Sequence, residues 1–152
     1  MIAWSQKLTS ERAAEVGAER AEKRGLLERT DVVSIHLAFS ERTRGLMVGG
    51  LVGGAEFAAM RRDAILVNTS RSPIVDEAAM AATLTEGRIG AAALDVSGEQ
   101  PLPEGHRLLA ALRTVLTPHL GDVTEENYRA CFRGAVAAIE AWEANSPIHL
   151  IS

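Results

Sequence analysis

Ile65-Leu-Val-Asn-Thr-Ser-Arg71-Ser-Pro-Ile-Val-Asp-Glu77 decides the fold. An apolar run ends in small polar residues and one arginine. A turn with Pro73 follows, then a helix start at Asp76 and Glu77. This is how a buried parallel strand delivers a charged side chain to the rim of a sheet, where open α/β sheets bind their ligands. A guanidinium held there suits a planar anion such as a carboxylate. The plainer reading makes Arg71 a surface arginine in a strand-to-helix loop.

Outward from that stretch the pattern alternates β and α, which predicts a parallel sheet covered by helices. Strands are expected at Ile2–Trp4, Asp31–Leu37 (buried), Ala64–Thr69, Gly90–Val96 and Thr114–Thr117. Thr9 or Ser10 caps a first helix that Gly17 ends, and Leu26 and Leu27 suit a second. Glu56–Met60, Asp76–Glu86 (closed by Gly87) and a long Thr124–Ala144 read as further helices. In the last, Ala135, Val136, Ile139 and Trp142 recur near helical spacing. Glu19–Arg24, with interspersed charges, reads as a solvated helix face. Ile148–Ile151 suits an edge strand or a contact with another chain. Leu46-Met-Val-Gly-Gly50 followed by Leu51-Val-Gly-Gly54 is a near-repeat that reads as loop padding, since no G-x-G-x-x-G can be taken from it.

The chain has 152 residues, about one domain. Its formal net charge of -4 argues against a nucleic-acid or anionic-membrane surface. One cysteine, Cys131, makes no internal disulfide, so a reducing cytoplasm is expected, and its apolar helical setting predicts a packed thiol. No Cys/His cluster has metal-ligand spacing, so no metal is expected. No apolar run has the length of a membrane span.

Three strand ends carry groups capable of chemistry. Arg71 follows one strand. Asp95, Glu99 and Gln100 follow the next, and His119 follows the last, in Thr117-Pro-His-Leu-Gly121. Adjacent parallel strands would place them at one edge. Arginine can fix a carboxylate, histidine can move a proton near neutral pH, and an acid can orient that histidine. The set suits hydride exchange between a nicotinamide and a 2-hydroxy or 2-keto acid, with the cofactor carrying the hydride. Singly, His119 also reads as a loop histidine bonded to backbone, and Asp95 as a turn cap.

In this arrangement the sequence resembles the D-isomer-specific 2-hydroxyacid dehydrogenases, the family that includes phosphoglycerate and formate dehydrogenases. The matching pieces are Asp31-Val-Val-Ser-Ile-His36, Ser40-Glu-Arg-Thr-Arg-Gly45, Asn68-Thr-Ser-Arg71, Val75-Asp-Glu77, Ala92-Ala-Leu-Asp95 and Thr117-Pro-His-Leu-Gly121. The resemblance implies a Rossmann-like parallel sheet with helices on both faces, an NAD or NADP cofactor, a 2-hydroxy or 2-keto acid substrate and a homodimer. It implies that Arg71 binds the substrate carboxylate and that His119 is the general acid/base. Asp95 would hold the nicotinamide carboxamide, with Thr69 and Ser70 lining the cofactor cleft and His36 and Gly121 among the cofactor-binding positions. Ser5 falls where such enzymes often keep an acid for the adenosine ribose, so NAD versus NADP stays open.

The departures are as informative. Gln100 stands where the family keeps the acid that partners the histidine, and it carries no charge. Ser72 replaces a usual glycine, which predicts strain if that position needs positive φ. Ala38 stands where relatives tend to have proline. The family's first strand and glycine-rich loop have no counterpart before Ile2, nor has its substrate domain. The expectation is therefore a partial dinucleotide-binding domain over residues 1–152, an incomplete sheet lacking its central strand and an N-terminally truncated fragment. The alternative is a catalytically inactive remnant or a dimerisation or interaction module.

Overall fold

The computed structural model describes residues 1–38 and 52–150. The Ser40–Gly45 motif and the repeat as far as Leu51 lie outside them. The chain forms two compact units, Met1–His119 and Leu120–Ser152.

The first unit runs β1 (Ile2–Ala3), α1 (Ser10–Glu15), β2 (Glu19–Arg20), α2 (Lys23–Arg29), β3 (Val32–Ile35), α3 (Gly54–Ala59), β4 (Ile65–Asn68), a 3-10 turn (Ser72–Ile74), α4 (Glu77–Thr85), β5 (Ala91–Leu94), α5 (Arg107–Ala110) and β6 (Thr114–Leu116). It is an α/β fold, with parallel strands flanked by helices. Polar caps start the helices as their sequences predict. Thr9 accepts the Arg12 N–H at 3.3 Å, and Asp76 accepts the Ala79 N–H at 2.9 Å. Gly17 and Gly87 leave α1 and α4 at φ +68° and +66°, a region costly to residues with a Cβ.

All strand pairs are parallel, in two groups: β1–β2 and β3–β4–β5–β6. The register aligns the carboxyl ends of the larger sheet, with Ile35 beside Asn68, Asn68 beside Leu94 and Leu94 beside Leu116. One face of that sheet (Val33, Ile35, Leu66, Ala92, Leu94) joins a core with Leu27, Phe57, Met80, Leu84 and Leu108. Leu66 is fully buried, so truncation to alanine would cost about 2–5 kcal/mol.

Four expectations for the first unit need correcting. Glu19 and Arg20 do not form a helix face. They form β2 beside β1, with Glu19 N–H donating to Met1 O and Ala21 N–H donating to Ala3 O, and both side chains stay exposed. The strand expected to be buried over Asp31–Leu37 shortens to Val32–Ile35 and alternates exposed and buried, because only one of its faces meets the core. α5, capped by His106, forms in a stretch for which no helix is expected. Ser72 carries no strain, as shown below.

In the second unit, α6 (Glu125–Glu143) starts at Thr124, which accepts the Asn127 N–H at 3.2 Å. Tyr128 and Phe132 stack one turn apart. The helix buries none of its side chains, so Cys131 is exposed rather than a packed thiol. Ile148–Leu150 forms no strand.

Candidate active site

The site begins at the carboxyl ends of β4, β5 and β6. Hydrogen bonding between the strands continues past the last strand residues: Asp95 N donates to Asn68 O and Thr117 N to Leu94 O, each at 3.0 Å. The segments carrying Arg71, Asp95 and His119 therefore leave one sheet edge side by side, as parallel neighbours must.

After β4 the chain turns on Asn68, which is almost wholly buried. Its Oδ1 accepts the Ser70 N–H at 3.0 Å and its Nδ2 donates to Arg71 O at 3.1 Å. The hydroxyl of Ser70 donates to Ile35 O at 3.0 Å, tying the turn to the end of β3. Arg71 stands exposed, with one guanidinium nitrogen 2.7 Å from Ser70 O. Among the described residues it has no carboxylate partner, so its charge is available to an anion. Arg71, Ser70, Thr69, Ala38, Leu37 and His36 line one hollow of about 520 Å³. His36 also lies 2.8 Å from the Ser34 hydroxyl and, with Ser5, borders a second cavity beside β1.

Ser72 lies in the 3-10 turn and is not among the residues with positive φ. The strain expected of a serine there does not arise. Its hydroxyl donates to the Glu77 carboxylate, a bond glycine cannot make. The same carboxylate accepts the Gly98 N–H at 2.7 Å and lies 3.9 Å from His106 Nε2. Glu77 thus joins the arginine turn to the loop after β5. Sequence reasoning saw only a helix-starting acid; the available signal was its position five residues after Ser72 in a motif otherwise accounted for.

Asp95 is buried, and the Thr117 hydroxyl donates to its Oδ1 across the β5–β6 seam. Asp95 is thus bonded to Thr117, and His119 to Gln100. The Gln100 amide nitrogen donates to Ser97 O at 3.2 Å, which turns Oε1 toward His119 Nδ1 at 3.1 Å. Because Oε1 only accepts, Nδ1 carries the proton in this bond. His119 sits at φ 59°, a left-handed conformation costing a non-glycine residue about 1 kcal/mol. Gln100, Thr117 and His119 line a hollow of about 480 Å³. Gly121 belongs to the second unit.

Residues 1–121 match the model of the D-isomer specific 2-hydroxyacid dehydrogenase NAD binding domain. The chain belongs to that family. Among its relatives, a glyoxylate reductase from Aeropyrum pernix is 45% identical over 112 residues, which make up 74% of this chain and 32% of that protein. An oxidoreductase from Ralstonia solanacearum superposes with a TM-score of 0.88 at 33% identity, over 98% of this chain and 42% of that one. A D-mandelate dehydrogenase from Rhodotorula graminis gives 0.77 at 28%, over 92% and 40%. The chain thus spans about a third of the length of the curated relatives it matches. Membership in an NAD-binding family accords with the donor set. A buried carboxylate at the strand ends can accept from a carboxamide, and hydroxyls stand around a hollow at the same edge. Among the described residues no cluster of acids, histidines or cysteines could hold a metal ion, and no helix has the length and apolarity of a membrane span.

Proposed function

We propose that this dehydrogenase-family chain carries the cofactor-side half of a site that interconverts 2-hydroxy and 2-keto acids. The observation that supports it is the pairing of His119 Nδ1 with Gln100 Oε1 at the sheet edge that also carries Arg71. A bound nicotinamide supplies the hydride. In reduction, Arg71 holds the substrate carboxylate as an ion pair. His119 gives its Nε2 proton to the keto oxygen, and Gln100 keeps the ring turned for that transfer. Asp95 accepts from the nicotinamide carboxamide, and Thr117 fixes the carboxylate by its hydroxyl. Thr69, Ser70, His36 and Ser5 border the cofactor's path, and Gly121 is included from the family motif alone. Residues 1–152 count as part of a dinucleotide-binding domain with its C-terminal helix. Glyoxylate and hydroxypyruvate, named by relatives, are the substrates to try.

Gln100 departs from the family's acid and leaves the imidazolium without a facing charge. Slow turnover is part of this reading. Ser5 and Lys7 favour neither NAD nor NADP by charge alone, so both are included. The exposed row Phe132, Val136, Ile139 and Trp142 supports self-association, and the single cysteine supports a reducing compartment.

Calorimetry with NADH and NADPH on the purified chain tests the reading. Saturable binding that weakens at least about tenfold in Asp95→Ala is expected. Heat from neither cofactor would sink it. Oxidation of the bound cofactor by glyoxylate, abolished in His119→Ala, tests the chemistry.

A further inference from the structure

The loop after β5 carries Gln100, and packing does little to hold it. From Gly98 to Gly105 every residue except Leu102 is exposed. A segment so poor in buried apolar contacts keeps its shape through polar ones. Several of these converge on the half-buried carboxylate of Glu77, at the start of α4. Its Oε1 accepts the Gly98 N–H at 2.7 Å, and the Ser72 hydroxyl donates to the same atom. At the far end of the loop, His106 Nε2 lies 3.9 Å from Glu77 Oε2, while its Nδ1 accepts the Leu108 N–H at 3.3 Å. One side chain thus stands against both ends of the loop. The near end matters most. Gly98 N–H and Ser97 C=O belong to one peptide unit, which is planar, so holding the N–H aims the carbonyl. That carbonyl accepts from Gln100 Nε2 at 3.2 Å and so turns Gln100 Oε1 toward His119 Nδ1 at 3.1 Å. The path from Glu77 to the His119 ring is therefore three hydrogen bonds and one rigid plane. The bond to Ser72, next to Arg71, makes the same oxygen the anchor of the arginine turn.

We propose that Glu77 is a positioning residue for the acid/base of this site. By holding the Ser97–Gly98 peptide it sets the amide of Gln100, and through Gln100 the ring of His119. By holding Ser72 it ties that ring to the turn that presents Arg71. What it supplies is reach and an accepting oxygen rather than charge. The inference rests on the reading of His119 as the acid/base turned by Gln100, and its test needs neither cofactor nor turnover.

The readout is the tautomer of the neutral His119 ring, taken from its nitrogen NMR shifts in the full chain. Its signals are assigned among those of the four histidines by their loss in His119→Asn. A proton on Nδ1 marks the bond to Gln100, and a released ring returns to the mixture that water allows. Glu77→Asp keeps the charge, and an acid still suits the first turn of α4, but the side chain is one methylene too short for Gly98. It is expected to lower the ratio of the Nδ1–H to the Nε2–H form about fivefold. Glu77→Gln keeps the reach and the accepting oxygen, and should hold that ratio within about twofold of the parent. Glu77→Asp at the parent ratio would overturn the proposal. So would Glu77→Gln shifted as far as Glu77→Asp. Gln100→Ala tells the two readings apart. If it shifts the ratio and Glu77→Asp does not, the role of Glu77 fails alone. If neither shifts it, the pairing of His119 with Gln100 fails, and the proposal with it.

Discussion

His119 Nδ1 and Gln100 Oε1 lie 3.1 Å apart, and the orientation of the glutamine amide follows from its second bond, to Ser97 O. A neutral acceptor therefore fixes the tautomer of the histidine without adding charge. The geometry of an acid–histidine pair is kept while its electrostatic part is absent.

Gln100→Glu restores that part. An anion at the same distance pairs with the imidazolium that gives up its proton, so reduction of glyoxylate with NADH should speed up about tenfold. Steady-state rates of the two chains under one set of conditions read this. Equal rates would show that residue 100 does not face the ring in solution.

Ser72→Gly separates two accounts of one position. If serine were strained there, glycine would stabilise the fold. The structure has Ser72 at negative φ and bonded to Glu77. The substitution is expected to cost about 1 kcal/mol, from the lost bond and the freer unfolded chain. Urea midpoints decide by their sign. Glu77→Gln should cost more, because the Gly98 N–H also loses its charged acceptor.

Gly90→Ala tests close packing. A Cβ there would lie 2.5 Å from Asp63 O, in backbone that cannot step aside. A loss of about 1–3 kcal/mol is expected. At Gly134, inside α6, a Cβ meets nothing within 4 Å, and alanine should raise helix stability by about 1 kcal/mol. Opposite signs in thermal unfolding followed by circular dichroism are the expected result, and the same sign at both sites would count against the packing account.

Glu56 makes the fold acid-sensitive. Burial pushes its carboxyl up, but the Lys23 ammonium at 2.6 Å and the Gly53 N–H at 3.0 Å outweigh that and hold it below the ordinary 4.5. A lowered folded-state value stabilises above the ordinary pKa, and that stability is lost as pH falls below it. Glu56→Gln should cost about 1 kcal/mol near neutral pH and progressively less below about pH 4. A cost that stays constant between those conditions would show that the charge of Glu56 is immaterial.

The strand-and-helix order was legible in the residues because it rests on local rules. Apolar runs of strand length, capping Thr9 and Asp76, and Gly17 and Gly87 at helix ends act over a few neighbours. So did the presence of Arg71, Asp95, Gln100 and His119 after successive strands, since parallel order alone sends them to one edge. Contacts between residues distant in sequence were decided only by the tertiary structure. Thr117 claims Asp95 from 22 positions away, Ser70 reaches Ile35 across 35, and Glu77 reaches Gly98 across 21. Glu19–Arg20 became a strand because β1 offered an edge, a fact absent from its own charged sequence. Periodicity and capping depend on backbone geometry that every residue carries with it. Which side chain meets which depends on how the sheet stacks its strands, and that is settled only when the whole chain has folded.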